Sequence, residues 1–216
     1  MNLTDLLQGA HARHLRILGH FAPEDSHGLG HEVKTVVLLG PDEPQFWSAF
    51  EDSAEYRDGA PDPMDRWSAR VIGDWAREIG GEAYFPFGGP PYAPFYQWAL
   101  ATGAVWPSPI RLLIHAQSGL FVSFRGALGL PYAVPQAPAQ DRPCDSCTHQ
   151  PCRSACPVAA FDRSGYDTIR CHDHLNTMAG ADCITKGCRA RRACPISQNF
   201  GRVEAQSHFH MRSFHP

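Results

Sequence analysis

The chain has 216 residues, 43% hydrophobic and 19% charged, which is enough apolar material for one ordinary domain and a small second one and excludes disorder as the default state. A formal net charge of −3 with no dense basic stretch argues against nucleic acid or an anionic membrane as partner. The opening MNLTDLLQGAHARHLRIL lacks the features of a secretory signal, and no run of roughly 18 apolar residues occurs, so a soluble cytoplasmic protein is expected.

Residues 34–40 (KTVVLLG) form a continuous apolar run with β-branched members and read as a buried strand. Residues 61–80 open with Pro and Asp and close on Gly80-Gly81. Trp67, Val71, Trp75 and Ile79 recur every four residues between them, the pattern of an amphipathic helix. A short strand is expected over 83–87, a turn at Gly88-Gly89-Pro90-Pro91, and a second helix over 94–103. Two strand-like runs, 110–116 (IRLLIHA) and 120–128 (LFVSFRGAL), flank Gln117-Ser118-Gly119 and predict a hairpin. Helices mixed with a hairpin point to an α+β class, a sheet covered by helices, over residues 1–130.

Residues 131–143 hold four prolines and read either as an extended linker or as a strap lying on the first domain. The remainder, 144–216, ends in SHFHMRSFHP, whose His208, His210 and His215 are expected to pack on the surface or face solvent rather than bind metal.

All eight cysteines fall between Cys144 and Cys194, and the first 143 residues contain none. A disulfide-stapled protein spreads its cysteines through the fold, so this placement indicates a metal-cluster module attached to a cysteine-free domain. The first group is Cys144-x2-Cys147-x4-Cys152-x3-Cys156-Pro157; the second is Cys171 followed by Cys183-x4-Cys188-x5-Cys194-Pro195. Each has four cysteines and ends in Cys-Pro. In two-cluster ferredoxins the cysteine before proline ligates the other cluster. Two [4Fe–4S] clusters are therefore expected. Cys144, Cys147, Cys152 and Cys194 would hold cluster one, and Cys156, Cys171, Cys183 and Cys188 cluster two. The spacings are looser than the C-x2-C-x2-C-x3-C-P run. The bland alternatives are two structural zinc sites, but zinc favours paired C-x2-C knuckles and only Cys144 and Cys147 supply one, and a set of buried free thiols, which at this density would be prone to oxidation.

The cysteine module resembles that of epoxyqueuosine reductase, a cobalamin-dependent iron–sulfur enzyme, with Arg170-Cys171-x3-Leu175 matching the lone cysteine between its two groups. The preceding part resembles cobalamin-processing proteins of the CblC type through Asp62-Pro63-Met64-Asp65 and through the run from Ile114 to Gly126 (IHAQSGLFVSFRG). The resemblance implies a nitroreductase-like sheet-and-helix domain followed by a small bacterial-ferredoxin-like module. It also implies cobalamin bound between the two domains and reduced or stripped of its upper ligand by electrons from the clusters, the electrons coming from an external donor. Gly119, Phe121, Ser123, Phe124 and Gly126 would lie along the corrin. Arg125 is a candidate contact for a thiol such as glutathione, with a structural ion pair as its other reading. His115 and Trp106 are further contact candidates, and Trp98, Tyr92 and Tyr96 are aromatic groups able to line a flat ligand or simply to pack the core. Where epoxyqueuosine reductase has a carboxylate proton donor, this chain has Pro91, which cannot donate a proton and argues against the same reaction. The competing readings are a cobalamin-dependent substrate reductase and a plain ferredoxin-like electron carrier; a flavin in place of the corrinoid also suits such a fold.

Overall fold

The computed structural model describes residues 2–162 and 165–216. In chain order the elements are α1 (Leu3–His11), β1 (Leu15–Phe21), β2 (Thr35–Pro41), α2 (Gln45–Glu51), α3 (Ala54–Arg57), α4 (Pro63–Glu78), β3 (Glu82–Tyr84), α5 (Phe95–Ala101), β4 (Val105–Pro107), β5 (Leu113–His115), β6 (Gly126–Leu130), α6 (Thr168–Leu175), α7 (Ala181–Lys186), α8 (Arg189–Arg192), α9 (Pro195–Gln198) and α10 (Glu204–Phe214). Helices mixed with small antiparallel sheets make this an α+β protein, as the sequence suggests. Among the described residues no helix is long and apolar enough to cross a membrane.

The chain divides into two compact units, Met1–Ala104 with Ser123–Gln140, and Val105–Val122 with Asp141–Pro216. The segment 105–122, which the sequence reading assigned to a first domain of 1–130, thus clusters with the cysteine-bearing part.

In the first unit four strands form an antiparallel sheet in the order β1-β2-β6-β3. Strand β2 is the expected apolar run and is buried along its whole length, because it has a neighbour on each edge and is covered on both faces. Strand β6 is equally buried, and its small residues let other elements come close. A Cβ on Gly126 would stand 2.8 Å from Ile72 Cδ1 of α4 and 3.0 Å from the carbonyl oxygen of Tyr84. Helix α4 matches the expected helix, with Pro63 in its first turn, where a missing N–H costs nothing. Its buried face comprises Met64, Trp67, Ser68, Ile72, Trp75 and Ala76, a 3.6-residue stripe; Val71 sits at its edge, half-buried. The expected strand at 83–87 and helix at 94–103 appear as β3 and α5, with shifted ends.

Helix α1 packs beside α4: a Cβ on Gly9 would lie 2.8 Å from the Trp75 ring, and the Arg13 guanidinium stands 5.0 Å from that ring's centroid. Its start is fixed by a capping box, in which the Asp5 N–H donates to Asn2 Oδ1 at 3.0 Å and the Asn2 N–H donates to Asp5 Oδ2 at 2.9 Å. Asn2→Ala is expected to cost about 1 kcal/mol, read as faster amide hydrogen exchange confined to α1.

Of the two readings of the proline-rich segment, the strap describes its first half. The Thr35 hydroxyl donates to the Tyr132 carbonyl at 3.0 Å and accepts the Val134 N–H at 2.9 Å, while His20 Nε2 donates to the Pro135 carbonyl at 2.8 Å. Residues 136–141 are exposed.

The second unit holds a two-stranded antiparallel sheet, β4 with β5, and helices α6 to α10. The expected hairpin of 110–116 with 120–128 does not form. Strand β5 pairs instead with β4, which the sequence reading did not identify, and β6 pairs with β2 and β3 of the first unit. What remains of the hairpin is a single bridge between His115 and Gly119. Beyond it Leu120 is drawn into the apolar core of the second unit with Ile110 and Ile114, so its apolar run serves packing and not a ladder.

Candidate metal centres

Cys144, Cys147, Cys152 and Cys194 line one cavity of about 200 Å³, several times the roughly 30 Å³ share of one water molecule. Three come from the turn-rich stretch that follows Pro143. The Cys147 N–H reaches the Cys144 carbonyl at 3.4 Å, and Cys152 sits in a short 3-10 turn over Pro151–Arg153. The fourth, Cys194, lies at the other end of the module, between α8 and Pro195 at the start of α9. Two contacts hold it there. Ser197 Oγ accepts the Leu120 N–H at 2.8 Å, and the Arg191 guanidinium donates to the Leu120 carbonyl at 2.9 Å. Cys152 and Cys194 join Ile110, Ile114 and Leu120 in the core, so the cavity wall is the core of this unit.

Burial pushes the Cys152 thiol up to about 11, and the neighbouring Cys194, Cys144 and Cys147 raise it further by like-charge repulsion. Cys144 is likewise raised by burial, with Arg142 opposing and Cys194 and Cys147 adding to the rise.

The other four thiols form a second set. Cys171 lies within α6, Cys183 within α7, Cys188 immediately before α8, and Cys156 before Pro157. Burial raises Cys171; the Tyr166 hydroxyl, hydrogen-bonded to it, pulls it down, and Cys188, Cys156 and Cys183 push it up. Cys183 is raised by burial and by Cys188, against a hydrogen bond from the Arg189 backbone. Cys156 Sγ accepts the Ala160 N–H at 3.3 Å. Tyr166 is held by ring stacking on Phe161, centroids 4.5 Å apart, and on Phe214 of α10 at 6.3 Å. It precedes Asp167, the N-cap of α6, while Cys171 is one turn further on, so a staple-like placement brings the phenol to the thiol.

The electrostatic influences thus run among Cys144, Cys147, Cys152 and Cys194, and separately among Cys156, Cys171, Cys183 and Cys188. All eight cysteines are free of disulfides, and among the described residues no group of three or more His, Cys, Asp or Glu is placed to hold a single metal ion. Near the C-terminal end, His208 Nδ1 of α10 meets the Ile184 carbonyl at 2.9 Å, and His215, which caps the helix, lies 2.7 Å from His172 Nδ1 and 3.1 Å from Asn176 Oδ1.

The residues expected along a corrin divide between the units. In the second, His115 is 3% exposed, and its Nδ1 accepts the Ser118 N–H at 3.1 Å and the Gln117 N–H at 3.3 Å, closing the turn. Gly119 does allow a close approach, but to protein: a Cβ there would stand 2.5 Å from the Ser197 backbone nitrogen. Phe121 lies 5.4 Å beneath the Arg202 guanidinium, and Trp106 packs against the core that holds Ile110, Ile114 and Leu120. In the first unit Ser123 and Phe124 are half-buried, with Phe124 6.2 Å from Phe95. Arg125 pairs with Asp65 at 3.2 Å. Burial lowers Arg125 and raises Asp65, and their mutual attraction opposes both shifts. Gly126 is enclosed by α4 and β3. Trp98 is core, whereas Tyr92 and Tyr96 are 64% and 48% exposed.

Sequence reasoning did not single out Ser108, Tyr166, Arg191 or Ser197. Tyr166 carries a readable signal, an aromatic just before an Asp N-cap with cysteine one turn later; Ser108 and Ser197 carry none, since their importance arises from chain segments far apart in sequence. Comparisons with protein-family models, curated proteins and solved structures gave no match.

Proposed function

We propose that the chain is an iron–sulfur electron-transfer protein carrying two [4Fe–4S] clusters, and that a corrinoid is the acceptor it reduces or processes. The carrying observation is the sorting of eight thiols into two fours, each made of three cysteines from one sequence group and one Cys-Pro cysteine from the other. A single tetrahedral zinc gathers its sulfurs around bonds of about 2.3 Å, whereas an iron–sulfide cube spreads its four thiolates more widely, so four cysteines around a cavity suit the cube. The donors aimed at Cys156 and Cys171 suit it too, since sulfur that accepts hydrogen bonds stabilises added negative charge. The buried thiols favour protonation when bare; bound iron would supply the positive charge that makes them thiolates, with release of their protons. When bound, the clusters supply one-electron chemistry. The chain's own residues hold them, exclude water with Ile114, Leu120 and Ile196, and present donors to the sulfur atoms.

The finer fold assignment belongs to the same proposal: a nitroreductase-like first unit, supported by its antiparallel sheet with the long helix α4 against it, and a ferredoxin-like second unit, supported by the interleaved cysteines. The corrinoid rests on the resemblance of residues 114–126, and Gly119, His115 and Gly126 are already engaged within the protein. That engagement favours a second reading, a plain electron carrier whose first unit docks a redox partner.

The test is anaerobic purification with iron and sulfide reconstitution, followed by cobalamin titration. The proposal expects about eight irons per chain and a base-off cobalamin spectrum on binding, with loss of the upper ligand once an external reductant is added. Eight irons with no change in the cobalamin spectrum leaves the electron carrier. Zinc in place of iron ends both readings.

A further inference from the structure

The cavity that carries Cys144, Cys147, Cys152 and Cys194 has polar side chains in its wall besides the thiols: Ser108, Ser146 and Gln150. Two of these are engaged. The Ser146 hydroxyl donates to the Pro143 carbonyl at 3.3 Å, and Gln150 Oε1 accepts from Arg153 at 3.4 Å. Ser108 differs. The residue is 6% exposed, and its Oγ is buried without a hydrogen-bond partner among the described residues. Its backbone is pinned on both sides, the N–H donating to the Leu112 carbonyl and the carbonyl accepting the Arg111 N–H, each at 2.9 Å. The serine is therefore held in the cavity wall, and only its hydroxyl rotor is free to choose a partner.

A buried hydroxyl with no partner carries a desolvation cost that native proteins rarely leave uncompensated. Among the other residues that line the cavity, Pro109, Ile114, Leu120 and Pro143 offer no side-chain acceptor. A group that fills the cavity can supply the acceptor. Sulfur atoms of a cluster are acceptors, and they take hydrogen bonds more strongly as the cluster gains an electron.

Resting on the two-cluster reading, we propose that the Ser108 hydroxyl donates a hydrogen bond to sulfur of the cluster held by Cys144, Cys147, Cys152 and Cys194, and thereby raises that cluster's reduction potential. The second set already has its donors in the Ala160 N–H and the Tyr166 hydroxyl. Ser108 is the counterpart on the first set, so the relative potentials of the two clusters depend on it. It is a positioning and tuning residue, outside the ligand set.

The experiment is an EPR-monitored redox titration of reconstituted Ser108→Ala beside the parent chain and Ser108→Thr, which keeps the hydroxyl. In Ser108→Ala one of two midpoints is expected to move to lower potential with iron and sulfide content unchanged. At a fixed poise the ratio of reduced to oxidised cluster should fall about fivefold, the equilibrium weight of one hydrogen bond. Ser108→Thr should titrate like the parent. In the Cys152→Ala background, where the first set is incomplete, Ser108→Ala should leave the remaining midpoint in place. If Ser108→Ala fails to load the first cluster while Ser108→Thr loads it, the hydroxyl is needed still more strongly and the proposal stands. Two unmoved midpoints in fully loaded Ser108→Ala overturn it, as does loss of the cluster from both variants. A parent chain that takes up no iron is a different result, since it removes the two-cluster reading before Ser108 is tested.

Discussion

Cys152→Ala and Cys194→Ala are each expected to retain about four of about eight irons per chain and to lose the same EPR component, although 42 positions separate them in sequence. Cys156→Ala, only four positions from Cys152, should lose the other component, together with Cys171→Ala. The reason is spatial. Cys194 shares a cavity and an apolar core with Cys152, whereas Cys156 lies in the electrostatic neighbourhood of Cys171. The decisive comparison uses double variants. Cys152→Ala with Cys194→Ala removes two ligands from one set and should keep about four irons; Cys152→Ala with Cys156→Ala breaks both sets and should keep none. A ligand arrangement that followed sequence order would reverse the two results. Yield should fall in every case, because the core of the second unit is itself partly built from Cys152 and Cys194, and a module with so small an apolar core depends on its metal to fold.

How far these features could be read from sequence depended on the range of the forces involved. Strand β2 and helix α4 were legible because their patterns are local: an unbroken apolar run from Val36 to Leu39, and Trp67 and Trp75 on one helical face. The proposed cysteine sets rest on a local signal as well, the Cys-Pro ending, whose cysteine ligates the other cluster in two-cluster ferredoxins. The hairpin reading of 110–128 failed because an apolar run such as Leu120-Phe121-Val122 looks the same whether a side chain is buried in a sheet or drawn into a neighbouring core, and here Leu120 takes the second course. Strand β4, only three residues long, offers too short a window for any period, and its partner β5 was assigned to 120–128 instead. Arg125 had two readings of equal standing; the partner that decides between them, Asp65, is 60 residues away. Ser108 lay beyond any pattern, since an unpartnered hydroxyl becomes visible only once its surroundings are known.

Gly119→Ala is expected to destabilise the second unit by about 2–4 kcal/mol, combining a cost of about 1–2 kcal/mol for a left-handed backbone on a residue with a Cβ and about 1–2 kcal/mol for overpacking. Gly119 has φ +57°, and the added carbon would stand 2.5 Å from the Ser197 nitrogen and 3.0 Å from its Cα. Those are backbone atoms, so no rotamer change relieves the clash, and α9 must shift. Helix α9 begins at Pro195, directly after Cys194, so the displacement falls on a single thiol of the first set. The damage should therefore be selective: a lower midpoint of thermal unfolding, faster oxygen-driven loss of the cluster shared by Cys152 and Cys194, and a second cluster that decays at the parental rate. Ser197→Ala supplies the complementary case. It leaves the clash absent but strips the Leu120 N–H of its acceptor, at a cost of about 1–3 kcal/mol, and should weaken the same cluster by loosening the same anchor. Equal loss of both clusters in Gly119→Ala would show that the glycine stabilises the unit as a whole and not the position of Cys194. An unchanged protein would mean that Gly119 is free to move away from α9, and with it the anchoring of the fourth ligand would have to be sought in the Arg191 contact to Leu120 alone.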